Sequence, residues 1–297
     1  MSLDAAGWGA GDGEAPPQLA LHAVRDPSGR SRVARSRATF PWSFARGFAG
    51  GRGADGAALA IPQTAGAGLF GGETARQRVT LAPGAALELR AAGAMVVHPG
   101  AGGGEATLLQ DFDLGEGAIC VQAAEPFAAL PEARPAIVSR IALGEGAVFV
   151  GFEGVCAARA EGLPHSLRLE LSATGASGEL LFEDRQAADA SLLARAAERG
   201  AGAVGTVLLI DPSGCTPRPP VGPVDLGPGV YAAAAPLRGD VGWGLRIAAE
   251  DGGALRRAGR AGLISALDAV SGELSGAAIQ GAGPAPRRGR GPVCGRG

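Results

Sequence analysis

The pentapeptide Leu81-Ala-Pro-Gly-Ala85 returns almost unchanged as Leu114-Gly-Glu-Gly-Ala118 and Leu143-Gly-Glu-Gly-Ala147, and a looser cousin, Leu171-Ser-Ala-Thr-Gly-Ala176, follows at similar spacing. Each copy sits between two stretches that alternate as strands do: RVTL and ALELR around the first, IVSRIAL and AVFVGF around the third. Glycine supplies the turn conformation that a side chain would forbid. A turn recurring every ~30 residues marks a repeated supersecondary unit, and such a unit buries its apolar face only against its neighbours. Residues 18–183 are therefore expected to form an elongated, solenoid-like (β-helix-like) structure of stacked antiparallel β-strands, unevenly spaced, in a mainly β chain. A single domain is expected over 18–280, between disordered tails at 1–17 and 281–297.

Two helices are expected in the C-terminal half. Asp189 can cap one over about 190–199, with Leu192, Leu193, Ala196 and Ala197 on one side and Gly200 as its stop. Asp251 can cap another over about 254–270, where Leu255, Gly262, Leu263, Ala266, Leu267 and Val270 share one face. Between them TVLLI (206–210) reads as a buried strand, and 212–229 as a long Pro-rich loop.

Composition removes whole classes of chemistry. All 27 basic residues are Arg, so a Walker-A loop, a kinase strand lysine, a lysine Schiff base and pyridoxal chemistry are all excluded. A formal charge of −2 argues against nucleic-acid binding by bulk electrostatics. The four cysteines, Cys120, Cys156, Cys215 and Cys294, form no CxxC pair and read as reduced thiols of a cytosolic protein. No signal peptide and no apolar run long enough to span a bilayer is evident, so the cytoplasm is the expected compartment and no membrane partner is expected.

The motifs that remain are weak ones. Gly66-Ala-Gly68-Leu-Phe-Gly71 and Gly200-Ala-Gly202-Ala-Val-Gly205 match GxGxxG. That fingerprint needs a strand before it and a helix after it, and here the second match has the order reversed while the first leads into the strand-like RQRVTL. Both are read as turns, without a cofactor. His22, His98 and His165 stand far apart, so no zinc pattern forms. No GxSxG elbow occurs, and no catalytic set is visible. The run Arg30-Ser-Arg32-Val-Ala-Arg35-Ser-Arg37 is read as the solvated face of a hairpin that follows Asp26-Pro-Ser-Gly29, because no aromatic residues interleave for base stacking.

Taken in order, these pieces resemble the urease accessory protein UreD (UreH) family. LALHAVRDPSGRSRVARS from Leu19 looks like the family's first hairpin, and Gly66–Glu73 is similar to its GG-L-x-GGD turn. The strand–Gly-Ala–strand units follow, then GELLFEDR (178–185), GTVLLI (205–210), and a final strand and helix over 242–267. The sequence departs from the family at several points. Glu73 replaces an Asp, Ala94–His98 replaces a Lys-x-Tyr-Arg stretch, and Ala123-Ala124 replaces a Pro-Gln pair. A Gly-Arg…Gly-Glu segment survives as Gly154 and a displaced Glu161.

The resemblance implies a non-catalytic chaperone-like scaffold that joins the accessory proteins UreF and UreG, docks on urease apoprotein and helps nickel insertion. Nickel would be cargo in transit and not a resident cofactor. Candidates for its path or for partner contact are then Glu73, His98 and Glu161, with Gly66, Gly68, Gly71 and Gly72 as the structural turn. The competing readings are a β-rich module that binds carbohydrate or another small ligand, and a β-fold hydrolase with no visible nucleophile motif. The first would need exposed aromatic platforms from Trp8, Trp42 or Trp243.

Overall fold

The computed structural model describes residues 15–64, 66, 68–158, 162–217, 219 and 221–271. Strands run from Leu19 to Ala249, and the two expected helices are present as α1 (Ala190–Ala197) and α2 (Gly252–Ser271). The tails expected at 1–17 and 281–297 lie outside the described residues, apart from 15–17, as do Trp8, Glu161 and Cys294.

The chain is a β-solenoid, but its coils stack in parallel and not, as expected, antiparallel. The first sheet places Leu19–Arg25, Thr74–Leu81, Ala106–Leu114, Pro135–Leu143 and Ser166–Thr174 side by side, each parallel to the next. The second sheet repeats the pattern with Ala58–Ala60, Ala86–Arg90, Ile119–Ala123 and Val148–Ala157. Antiparallel pairing appears at the margins: Ser31–Ala38 and Leu180–Asp189 flank the first sheet, Phe48–Ala49 flanks the second, and Trp42–Ser43 pairs with Gln63–Thr64. Beyond Val148–Ala157 the second sheet continues antiparallel through Ala203–Ile210, Gly242–Ala249, Val230–Pro236 and Gly222–Val224.

The reason lies in the repeated turn, which is a corner and not a hairpin. The strand before each turn joins the first sheet and the strand after it joins the second, so the turn bonds to its copies in neighbouring coils. Gly115 N donates to Leu81 O at 2.8 Å and Gly144 N to Leu114 O at 2.7 Å, while Gly84 N and Gly117 N donate to Glu116 O and Glu145 O. Leu81, Leu114 and Leu143 point inward, and Ala85, Ala118 and Ala147 are fully buried. The fourth turn position, Gly84, Gly117 or Gly146, has φ between 61° and 66°, where a side chain is strained. Leu171–Ala176 differs: it closes a true hairpin into Leu180–Asp189.

Three apolar clusters follow from this wrapping: a smaller one around Val97, Leu108, Phe127 and Leu169 inside the coils, and two larger ones. One fills the coils, where Leu87, Cys120 and Phe149 of the second sheet meet Leu81, Phe112 and Ile141 of the first, with Phe112 and Phe149 edge-on at 5.1 Å between centroids. The other lies between the outer face of the second sheet and α2, whose Leu255, Leu263, Ala266, Leu267 and Val270 are buried as their spacing predicts. Gly259 and Gly262 let α2 approach closely, since a Cβ would lie 2.5 Å from Phe152 or 2.7 Å from Leu245. Asp251 caps α2 by accepting from Ala254 N at 2.7 Å. Asp189 caps α1 through Leu192 N, although only Leu193 of α1 packs on a core and Leu192 stays exposed.

The first hairpin is as expected: Asp26 Oδ1 accepts from Ser28 N and Arg30 N, and Gly29 has φ 85°. The Pro-rich segment is not all loop, because it contributes the edge strand Gly222–Val224. Cys120 and Cys156 are free and buried, and burial pushes the Cys120 thiol up to about 12. Cys215, expected as a reduced thiol, is disulfide-bonded.

Candidate functional site: a polar line inside the solenoid

The structure brings together two of the sequence candidates. Glu73 Oε2 accepts from Phe70 N at 2.9 Å, and the His98 ring stacks on Phe70 with centroids 4.4 Å apart. The glycines beside them are structural. Gly68 has φ 131° and a Cβ there would lie 2.0 Å from Val96 O, while one on Gly71 would meet Gly100 N at 2.5 Å. Gly66 and Gly72 also have positive φ. Neither GxGxxG match precedes a helix: Gly66–Gly71 runs into Leu69–Phe70 and Thr74–Leu81, and Gly200–Gly205 follows α1 and enters a strand. Among the described residues no group of three or more His, Cys, Asp or Glu could hold a metal ion. Trp243 is buried in the core beneath α2 and cannot serve as a ligand platform.

Glu73 is exposed, so its charge-assisted bond within the turn contributes little in water. Glu73→Gln is expected to lower stability by no more than about 1 kcal/mol, as read by chemical denaturation. A loss of several kcal/mol would show that the carboxylate organises the turn.

A more connected site runs inside the coils. Gln77, Gln110 and Ser139 occupy one inward row of the first sheet, in register across three coils. Opposite them the second sheet presents Gln122 and Glu153. All five are at least 93% buried, in a strand interior otherwise given to Leu, Val and Phe. Gln110 is the junction. Its Oε1 accepts from Gln122 Nε2 at 2.8 Å and from Gln77 Nε2 at 3.4 Å, and its Nε2 donates to Ser139 Oγ at 3.1 Å and to Glu153 Oε1 at 3.4 Å. Ser139 Oγ donates to Glu153 Oε1.

Past Glu153 the line continues to the surface. Thr206 is its partner in register, and Thr206 Oγ1 accepts from Arg246 Nη1 at 2.9 Å and Gln186 Nε2 at 3.3 Å. Arg246 in turn pairs with Asp184 at 2.7 Å. At the other end Gln77, Gln110 and Gln122 form the inner wall of a cavity of about 340 Å³, also lined by Trp42, Met95 and Phe127. Two buried polar atoms of this wall, Gln122 Oε1 and Trp42 Nε1, have no hydrogen-bond partner. Buried polar atoms in native proteins are nearly always satisfied by protein or ordered water, and both atoms border the cavity.

Two buried glutamates show what is special here. For Glu88, burial would raise the pKa, but bonds and charge from Arg52 and Arg90 outweigh it and the carboxylate is held below its ordinary range. For Glu153, burial dominates, the Ser139 hydroxyl opposes it only in part, and the charge of Asp184 adds to it, so the pKa is pushed up to about 7. Glu88 is therefore a structural ion pair, whereas Glu153 faces neutral donors and is poised between protonation states. Sequence reading missed Glu153. Its signal was an acid inside VFVGFEGVC, a strand otherwise free of polar side chains.

The family described as UreD urease accessory protein matches residues 15–277. A protein named urease accessory protein UreD 1, from Bradyrhizobium sp. strain BTAi1, is 28% identical over 237 residues, 78% of this chain and 84% of its own length. Urease accessory protein UreD 3 from Bradyrhizobium sp. strain ORS 278 is 29% identical over 79% of this chain and 85% of its own. With a family match that spans all the described residues, this chain belongs to the UreD family of urease accessory proteins.

Proposed function

We propose that the protein is a non-catalytic cytoplasmic scaffold for urease maturation that joins UreF, UreG and urease apoprotein, and that nickel in transit moves along the interior polar line. The observation that supports this is Glu153: a buried carboxyl among neutral amides and a hydroxyl, with no guanidinium set against it among the described residues. Amide and carboxylate oxygens hold a divalent nickel ion less tightly than thiolates or clustered imidazoles, and cargo must leave. A carboxyl half-protonated near neutrality can exchange a proton for a cation and reverse the exchange. Glu73 and His98, which flank the exposed Phe70, are proposed as a partner contact at the end of the solenoid.

Glu153→Gln and Gln122→Leu, co-expressed with urease and the other accessory proteins, are expected to lower urease activation about tenfold or more, with the complex still recovered. Activation at the parental level in both variants would remove the interior line from the mechanism. Glu73→Gln is expected to weaken recovery of the complex and, through it, activation.

A further inference from the structure

The two sheets end at different places. The first ends at Leu180–Asp189, which among the described residues pairs only with Ser166–Thr174. The second runs on past it through Gly242–Ala249, Val230–Pro236 and Gly222–Val224. Inward side chains fix Leu180–Asp189 above the start of that extension, with Asp184 on Arg246 at 2.7 Å and Gln186 on Thr206 at 3.3 Å. Among the described residues the first sheet has no strand to lie over Val230–Pro236. There Val230, Ala232 and Ala234 pack toward α2, while Tyr231, Ala233 and Ala235 are exposed.

The result is a step. Its wall is the unpaired edge of Leu180–Asp189, and its floor is Tyr231, Ala233 and Ala235, with Pro223 beside Ala233. A 3-10 turn, Arg238–Asp240, packs on the wall strand near Leu181 at one end, and α1 follows Asp189 at the other. The space between accommodates an extended segment of about six residues, ~20 Å long. Tyr231 and Leu180, at 66% and 62% exposure, are among the most exposed large hydrophobic residues and border it.

The other strand edges are blunted in the ways that prevent unwanted pairing. Ser31–Ala38 carries Arg32, Arg35 and Arg37 beside a register shift, Phe48–Ala49 has two residues, and Gly222–Val224 is three residues long with a central Pro. Leu180–Asp189 also carries charges, but Glu183 and Arg185 pair with each other and Asp184 with Arg246; it has ten residues and no Pro, and its one irregularity is at the Leu180 end.

We propose that this step binds one extended segment of a partner protein, added as a strand to Leu180–Asp189. Backbone hydrogen bonds to the edge would provide affinity. Alternate apolar side chains would cover Ala233, Ala235 and Tyr231, and the outward positions would be polar or charged, set beside the Glu183–Arg185 ion pair, whose partners are 2.7 Å apart. A second copy of this chain does not fit. Edge-to-edge pairing would drive its overhanging strands into the space that Ala203–Ile210 and Gly242–Ala249 already fill beneath the wall. A single strand is one layer thick and meets no such obstacle. The inference does not depend on the nickel path.

Two measurements on the full chain test it. In hydrogen exchange of the isolated protein, every second amide of 183–188 is expected to exchange as fast as loop amides. Phage-displayed random peptides of about ten residues, selected on the full chain, are expected to alternate apolar with polar or charged residues and to protect those amides. They should bind Ala233→Trp at least about tenfold more weakly, and Ala233→Ser as the parent. The proposal is overturned by slow exchange at this edge in the isolated chain, which would mean another part of the chain or a second copy already fills the step. It is overturned equally if no peptide is enriched, or if the enriched peptides bind Ala233→Trp undiminished.

Discussion

Between pH 4.5 and 8.5 the parent protein is expected to lose about 3 kcal/mol of folding stability that the Glu153→Gln variant does not lose. The unfolded chain releases the Glu153 proton near the ordinary value of 4.5, whereas burial holds it in the folded state up to about 7. Between those values the folded protein binds more protons than the unfolded chain, so stability falls as pH rises and levels off above the folded pKa. Gln keeps the size and the hydrogen bonds to Ser139 and Gln110 but cannot ionise, so the variant should overtake the parent at alkaline pH. Denaturant titrations across the range would show the divergence. Parallel profiles for the two proteins would mean that water reaches Glu153 and leaves its pKa ordinary.

The second large effect concerns the stacked corners. A Cβ on Gly144 would lie 2.6 Å from Glu116 N, 2.8 Å from Gly115 C and 3.0 Å from Leu114 O, all backbone atoms of the coil below. None can rotate away, so Gly144→Ala must separate two coils and weaken the Gly144 N to Leu114 O bond. We expect a loss of about 2–3 kcal/mol, in the upper part of the range of overpacked cores. Gly117 is the control. Its φ of 61° is unfavourable for Ala, yet nothing lies within 4 Å of the added carbon, so Gly117→Ala should lower stability by only about 1 kcal/mol. Equal losses would show that backbone conformation, and not stacking, is the constraint.

The repeat, the helices and their caps were legible because each is a local pattern. Asp189 and Asp251 precede helical spacing, and the Leu-x-x-Gly-Ala corners recur with the same two apolar positions. Strand direction was not legible. An alternating strand, a glycine turn and another strand describe a hairpin and a solenoid corner equally well. What separates them is whether Leu81 O meets its own unit or Gly115 of the next, a contact between residues 34 positions apart. The interior line was hidden for a related reason. Gln77, Gln110 and Gln122 look unremarkable one at a time; the register of parallel strands lines up Gln77, Gln110 and Ser139, and only the facing of the two sheets brings Gln122 and Glu153 within reach of Gln110. Glu73 and His98 did prove to be neighbours, joined through Phe70, which is the kind of proximity a glycine turn and the next coil produce.

Parallel stacking also makes the length of the interior file discrete. In the first sheet three successive coils each contribute one inward polar residue, Gln77, Gln110 and Ser139, and each advances the file by one strand spacing, about 4.8 Å. A duplicated or deleted coil would lengthen or shorten it by that step and leave every other register unchanged. A single-residue insertion within a strand would instead turn Gln110 outward and carry Asp111 into the core, because side chains alternate. Insertions and deletions among relatives should therefore collect at the corners or come as whole coils, so that the reach between the two ends of the molecule varies in discrete steps.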